Sequence, residues 1–171
     1  MTPEERKRQA NRVQGLRNKR SGARVESRLD AAFDLYRRQG IADIIKTPEP
    51  MKVLRDRGGG RFTACFAKKG QADYAGTVRG GKSVYMEAKH TETDRIEKNR
   101  VTPEQSEFLM AHEKLGSQCY VLCGFGPSAV YRVPWMTWHR MKEIWGRLYV
   151  TEADLYDYKV MTQDGQLLIL S

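Results

Sequence analysis

The chain has 171 residues, 40% of them hydrophobic and 30% charged, which fits one globular domain and argues against wholesale disorder. Thirty Lys and Arg against 21 Asp and Glu give a net charge of +9, so nucleic acid is the leading partner and an anionic membrane surface the second. No run of about 18 apolar residues is present to span a bilayer, and the first twenty residues lack the apolar core of a secretory signal.

The charge is unevenly spread. Residues 1–24 carry eight bases (Arg6, Lys7, Arg8, Arg12, Arg17, Lys19, Arg20 and Arg24) against Glu4 and Glu5, a local +6. Residues 51–70 carry Lys52, Arg55, Arg57, Arg61, Lys68 and Lys69 against Asp56, a local +5. The tail from Glu143 holds five acids against Arg147 and Lys159. Two dense basic clusters and an acidic tail imply a polar molecule with one phosphate-facing side. A merely solvated basic surface is the competing reading.

Thr2-Pro3-Glu4-Glu5 reads as a helix start, with a capping hydroxyl, proline in the first turn and acids beside it. The basic run that follows has little to bury and reads as an arm, residues 1–22, that orders on DNA. Ser21-Gly22 is expected to break it. From Ala23 to Gln39, Val25, Leu29, Ala32, Phe33 and Tyr36 recur at three- and four-residue steps, an amphipathic helix ended by Gly40. Ile41 to Lys46 reads as a short strand and Thr47-Pro48-Glu49-Pro50 as an extended break. Met51–Arg57 and Arg61–Ala67 flank Gly58-Gly59-Gly60, the pattern of a hairpin bearing most of the second basic cluster.

Gln71–Val78 and Ser83–Lys89 are two more strands, joined at Arg79-Gly80-Gly81. After a polar loop, Thr102-Pro103-Glu104-Gln105 opens a helix to about Leu115. Gln118–Phe125 is an apolar, buried strand and Ala129–Val133 another. Pro134 then starts a helix through Trp135, Trp138 and Trp145, and a polar remainder ends in a short apolar stretch, Leu167–Leu170. This order predicts an α/β protein on a mixed central sheet, a single domain over 23–171 with a hairpin insertion at about 47–70.

The chemistry concentrates in Asp73-Tyr74-Ala75-Gly76 and Tyr85-Met86-Glu87-Ala88-Lys89. On a strand, Glu87 and Lys89 share one face while Val84, Met86 and Ala88 take the other. Neighbouring strands lie about 5 Å apart, so Asp73 can approach Glu87 across the ladder. Two converging carboxylates suit Mg²⁺, which takes oxygen ligands and is usually held by one or two carboxylates. Lys89 would then orient or activate a water, or stabilise charge on a phosphate. The bland alternative is a surface Glu87–Lys89 ion pair with Asp73 capping a turn.

These residues resemble the active-site pattern of the PD-(D/E)xK nuclease superfamily, and more narrowly that of RecU-type Holliday junction resolvases. The likeness runs from about residue 20 to 140. It also takes in Gly22-Ala23-Arg24-Val25-Glu26, Arg38-Gln39-Gly40-Ile41-Ala42, Lys46-Thr47-Pro48 and Glu104-Gln105. The resemblance implies a restriction-endonuclease-like core with a projecting basic stalk, here the short segment 47–70. It implies a metal bound by Asp73, Glu87 and the Ala88 carbonyl, with Mn²⁺ able to replace Mg²⁺. Lys89 would serve the attacking water and Glu26 would support metal or water from the first helix. Gln105 would contact the scissile phosphate region or Lys89. Arg17, Lys19, Arg20, Arg24, Lys52, Arg55, Arg57, Arg61, Lys68 and Lys69 would grip DNA. The expected activity is resolution of four-way junctions by a homodimer in the cytoplasm of a bacterial or phage-infected cell, the short stalk leaning toward a phage member. A nuclease on other branched or duplex DNA and a non-catalytic DNA-binding module stay open beside it.

His90, His112 and His139 lack metal-ligand spacing, although His90 adjoins Lys89. Cys65, Cys119 and Cys123 form no CxxC pair; this argues against a disulfide or zinc module and fits a reducing cytosol. Cys119 and Cys123 read as small core residues. The tryptophans read as core or dimer packing. Phe66 reads as core or as a wedge between bases.

Overall fold

The computed structural model describes residues 2–48, 51–66 and 70–170, with the side chains of residues 3, 11, 16–19 and 66 left aside. The expectations for Glu49, Pro50, Ala67, Lys68 and Lys69, and for the Arg17, Lys19 and Phe66 side chains, lie outside the described residues.

Helix α1 spans Pro3–Arg38 and opens as expected at Thr2. There a capping box joins the Thr2 N–H to Glu5 Oε2 at 2.6 Å and the Glu5 N–H to Thr2 Oγ1 at 3.2 Å. The break expected at Ser21-Gly22 does not occur. An interior glycine costs about 1 kcal/mol relative to alanine, too little to stop a helix with good formers on both sides. Val25 is the first buried side chain along α1 among those described.

The central sheet has five strands in the order β1 (Ala42–Lys46), β4 (Tyr74–Val78), β5 (Lys82–Thr91), β7 (Gln118–Phe125) and β8 (Ala129–Pro134). All its pairings are antiparallel except β5 with β7, so the sheet is mixed. Helix α2 (Pro103–Lys114) makes the crossover that the parallel pair requires. Val25, Leu29, Ala32, Phe33 and Tyr36 of α1 pack with Val84 and Met86 of β5 and Leu122 of β7 on one face. Leu109 of α2 packs with Cys119, Val121 and Cys123 of β7 and with Trp135 and Trp138 on the other. Cys119, Cys123 and these two tryptophans are therefore core, as their pattern implied.

Strands β2 (Met51–Asp56) and β3 (Phe62–Phe66) form the expected hairpin as a separate two-stranded sheet, and every residue of β2 is exposed. Gly58, Gly59 and Gly60 all have positive φ at its tip, which explains three glycines in succession. The helix expected through Trp145 is split into α3 (Trp135–His139) and α4 (Met141–Trp145); Pro134 both closes β8 and stands at the N-cap of α3, where the helix was expected to start. Four short strands escaped the sequence reading. Strand β6 (Arg95–Glu97) pairs with β9 (Tyr149–Thr151), and β10 (Met161–Gln163) with β11 (Gln166–Leu168). Three residues are too few to display a period of two. The Asp164-Gly165 turn, with φ of 50° and 79°, was nonetheless a readable hairpin signal.

Candidate active site

The β4–β5 register pairs Tyr74 with Met86. One step further along the antiparallel ladder Asp73 faces Glu87. The two are interlocked through the backbone: Ala88 N–H donates to Asp73 Oδ2 at 3.0 Å, and Asp73 N–H donates to Glu87 Oε2 at 3.3 Å. Asp73 is held from its other side as well, its carbonyl accepting from Thr47 N–H at 2.8 Å.

Tyr85, Glu87 and Lys89 project toward α2, whose Gln105, Phe108 and His112 recur at three- and four-residue steps on one face. Phe108 and His112 pack on the Tyr85 ring, with centroids 5.3 and 4.0 Å away. One turn back, Gln105 meets Glu87, donating from Nε2 to Oε1 at 2.7 Å. Lys89 Nζ donates to the same carboxylate oxygen at 2.5 Å and lies 3.5 Å from Gln105 Oε1. Gln105 also caps α2, its Oε1 accepting from Thr102 N–H at 3.1 Å. Capping and site contact thus coexist in one side chain. Gln105 is buried and reaches Lys89; its bond to Glu87 was not foreseen.

Glu87 is fully buried. Burial first, and then the Asp73 charge, push its carboxyl up to about 7, against the opposing pull of Lys89. Burial also raises the phenol of Tyr74, which donates to Asp30 Oδ1 at 3.1 Å.

Glu26 stands apart from this cluster. It is half exposed and pairs with Lys46 Nζ at 2.5 Å. It lines a cleft of about 280 Å³ on the α1 side of β5, shared with Gly22, Ala88, Lys89, His90 and Arg100. The cleft thus joins Glu26 to the Ala88 and Lys89 end of the site, without a contact from Glu26 to Asp73 or Glu87. Among the described residues no three His, Cys, Asp or Glu side chains converge on one point. Arg20, Arg24, Lys52, Arg55, Arg57 and Arg61 are exposed. Arg57 Nε donates to Thr63 Oγ1 at 2.8 Å within the hairpin.

The sequence profile of Recombination protein U, RecU, matches residues 20–170. The chain belongs to the RecU family. The resemblance carried by Asp73-Tyr74-Ala75-Gly76 and Glu87-Ala88-Lys89 is borne out, and the chain is a nuclease of a junction-resolving family. Among solved structures, the Holliday junction resolvase Hjc of the archaeal hyperthermophile Archaeoglobus fulgidus is similar at 15% identity. The match covers 74% of this RecU-family chain and 88% of that one, with a TM-score of 0.42. No curated protein sequence matches. No helix among the described residues is long and apolar enough to cross a membrane.

Proposed function

We propose that this RecU-family chain is a magnesium-dependent endonuclease that resolves four-way DNA junctions by paired, symmetric phosphodiester hydrolysis. The observation that carries the reading is the interlocked Asp73–Glu87 pair with Lys89 bonded to Glu87. A buried carboxylate beside a second one, with its carboxyl pushed up to about 7, has a deficit of positive charge. Carboxylate and carbonyl oxygens are the donors that magnesium takes, and two carboxylates suffice because it keeps several waters. The residues therefore fit the ion.

Asp73, Glu87 and the Ala88 carbonyl would hold the ion, whose chemistry there is to polarise the scissile phosphate and acidify a bound water. Manganese suits the same donors. Lys89 orients the attacking water and stabilises charge on the phosphate. Gln105 fixes Glu87 and Lys89 relative to each other, and Glu26 supports the water or the ion from the rim of the cleft. The exposed bases of α1 and the β2–β3 ribbon, with Arg17, Lys19, Lys68 and Lys69 in the same segments, bind phosphates. A four-way junction has two scissile strands related by near two-fold symmetry, so the active unit is a C₂ homodimer with one site on each strand. It works in the cytoplasm of a bacterial or phage-infected cell.

Incubation with a synthetic four-way junction, a flap and a linear duplex in Mg²⁺ tests this. Symmetric paired nicks in the junction are the expected result. Preferential cutting of flap or duplex would reassign the substrate, and binding without cleavage in either Mg²⁺ or Mn²⁺ would remove the catalytic reading. Light scattering should return twice the 19.7 kDa chain mass.

A further inference from the structure

The cleft beside the carboxylates has a basic rim that the proposed chemistry leaves unused. Arg100 lines it together with Lys89 and Ala88, so whatever enters lies next to the groups proposed to act on the scissile phosphate. Arg100 is exposed and has no carboxylate partner among the described residues. Its Nη2 donates to the His90 carbonyl at 3.2 Å. That single bond anchors one edge of the guanidinium and leaves its other donors for a ligand. A planar fork fixed in this way suits the paired oxygens of a phosphate.

The walls keep the cleft open. His90 is drawn against the protein by a 2.9 Å hydrogen bond between Nε2 and the Gly126 carbonyl. Opposite it stands Gly22 of α1, and a Cβ built there would have only His90 Nδ1 within reach, at 4.0 Å. A larger side chain at 22 would project into the space between helix and strand. This gives a local reason for glycine within a long helix, where it otherwise lowers stability. The remaining acid at the rim, Glu26, is already paired with Lys46, so it opposes an incoming anion less than a bare carboxylate would.

We infer that this cleft is a backbone-phosphate subsite, with Arg100 as the clamp that seats a DNA phosphate next to the scissile one and Gly22 as the opening that admits the strand. The inference rests on the nuclease reading above, but its test reads binding and not cutting. Junctions carrying one neutral methylphosphonate at successive linkages around the branch point would be titrated in Ca²⁺ against the unaltered protein and against Arg100→Ala and Arg100→Gln. Thermal melts would establish that each variant is folded.

At one linkage, neutralising the phosphate should weaken binding by the unaltered protein about tenfold, the scale of a charge-assisted hydrogen bond. The same neutralisation should cost the Arg100 variants nothing further. Arg79→Ala is the control: Arg79 donates to the Gly40 and Gln39 carbonyls, away from the cleft, and should show the unaltered pattern. Equal penalties in unaltered and Arg100-variant protein at every linkage would overturn the inference. A junction that binds with this coupling but is never cut in Mg²⁺ would retain the subsite and sink the nuclease reading instead.

Discussion

Asp73 and Glu87 are held together by peptide N–H groups as much as by the strands that carry them. Their closeness has a pH signature. Glu87 titrates near 7 in the fold, above about 4.3 in an unfolded chain. A carboxyl raised in this way adds stability that is fully present below the unfolded value and is lost as pH rises through about 7. In the metal-free protein that loss is at most about 3 kcal/mol between pH 5 and pH 8. Glu87→Gln should therefore melt progressively higher than the unaltered protein as pH rises over that range in EDTA, and Mg²⁺ should narrow the gap at pH 8. A gap independent of pH would contradict the raising of this carboxyl by burial and the neighbouring Asp73 charge. Gln105→Ala removes a donor from buried Glu87 and should cost roughly 1–3 kcal/mol of stability. Its junction cleavage should fall about tenfold with binding unchanged, as single-turnover rates and a binding titration would show. The pairing of Asp73 with Glu87 was legible in the sequence because strand period and spacing dictate it. The bond from Gln105 was not, because it depends on which turn of α2 lies over β5. The Glu26–Lys46 pair and the Arg100 tether were equally hidden, being set by docking between elements and not by order along the chain.

At the level of elements, Gly76 shows why the Asp73-Tyr74-Ala75-Gly76 motif ends in glycine. A Cβ there would lie 2.0 Å from the Asp43 carbonyl oxygen and 2.6 Å from Ile44 Cα, so β1 can pair with β4 only across a bare backbone. Gly76→Ala should push β1 away and destabilise the protein by about 3 kcal/mol, which denaturant unfolding would read. The same change should depress cleavage, since Thr47, just beyond β1, holds the Asp73 carbonyl. The β2–β3 ribbon behaves differently because its first strand buries nothing. Replacing Arg55, Arg57 and Arg61 by alanine should leave unfolding unchanged while weakening junction binding. The slope of log K against log salt should fall by about 0.9 for each phosphate that is no longer neutralised; an unaltered slope would place these arginines off the DNA. The ribbon, the central strands and α2 were readable from turn residues, alternation and capping. The small strands, apart from the turn signal at Asp164-Gly165, and the division between α3 and α4 were not, because no period develops over three to five residues.

Across the whole molecule, charge and fold divide the work. Helix α1 is about 54 Å long at 1.5 Å per residue. The described side chains of its basic first half are exposed, while its second half covers the sheet from Val25 onward. The ribbon carries the second basic cluster as a separate sheet. The carboxylates sit immediately before β4 and in the interior of β5, within a chain of net charge +9. Phosphate attraction and a locally negative, cation-seeking centre thus belong to different elements and should separate experimentally. Asp73→Asn, compared with the unaltered protein on one four-way junction, measures that separation. The account predicts a loss of single-turnover cleavage in Mg²⁺ of roughly a thousandfold or more, the scale of several kcal/mol of metal-borne stabilisation, with junction affinity within about threefold since every phosphate-binding base is kept. Cleavage by Asp73→Asn within tenfold of the unaltered rate would contradict it.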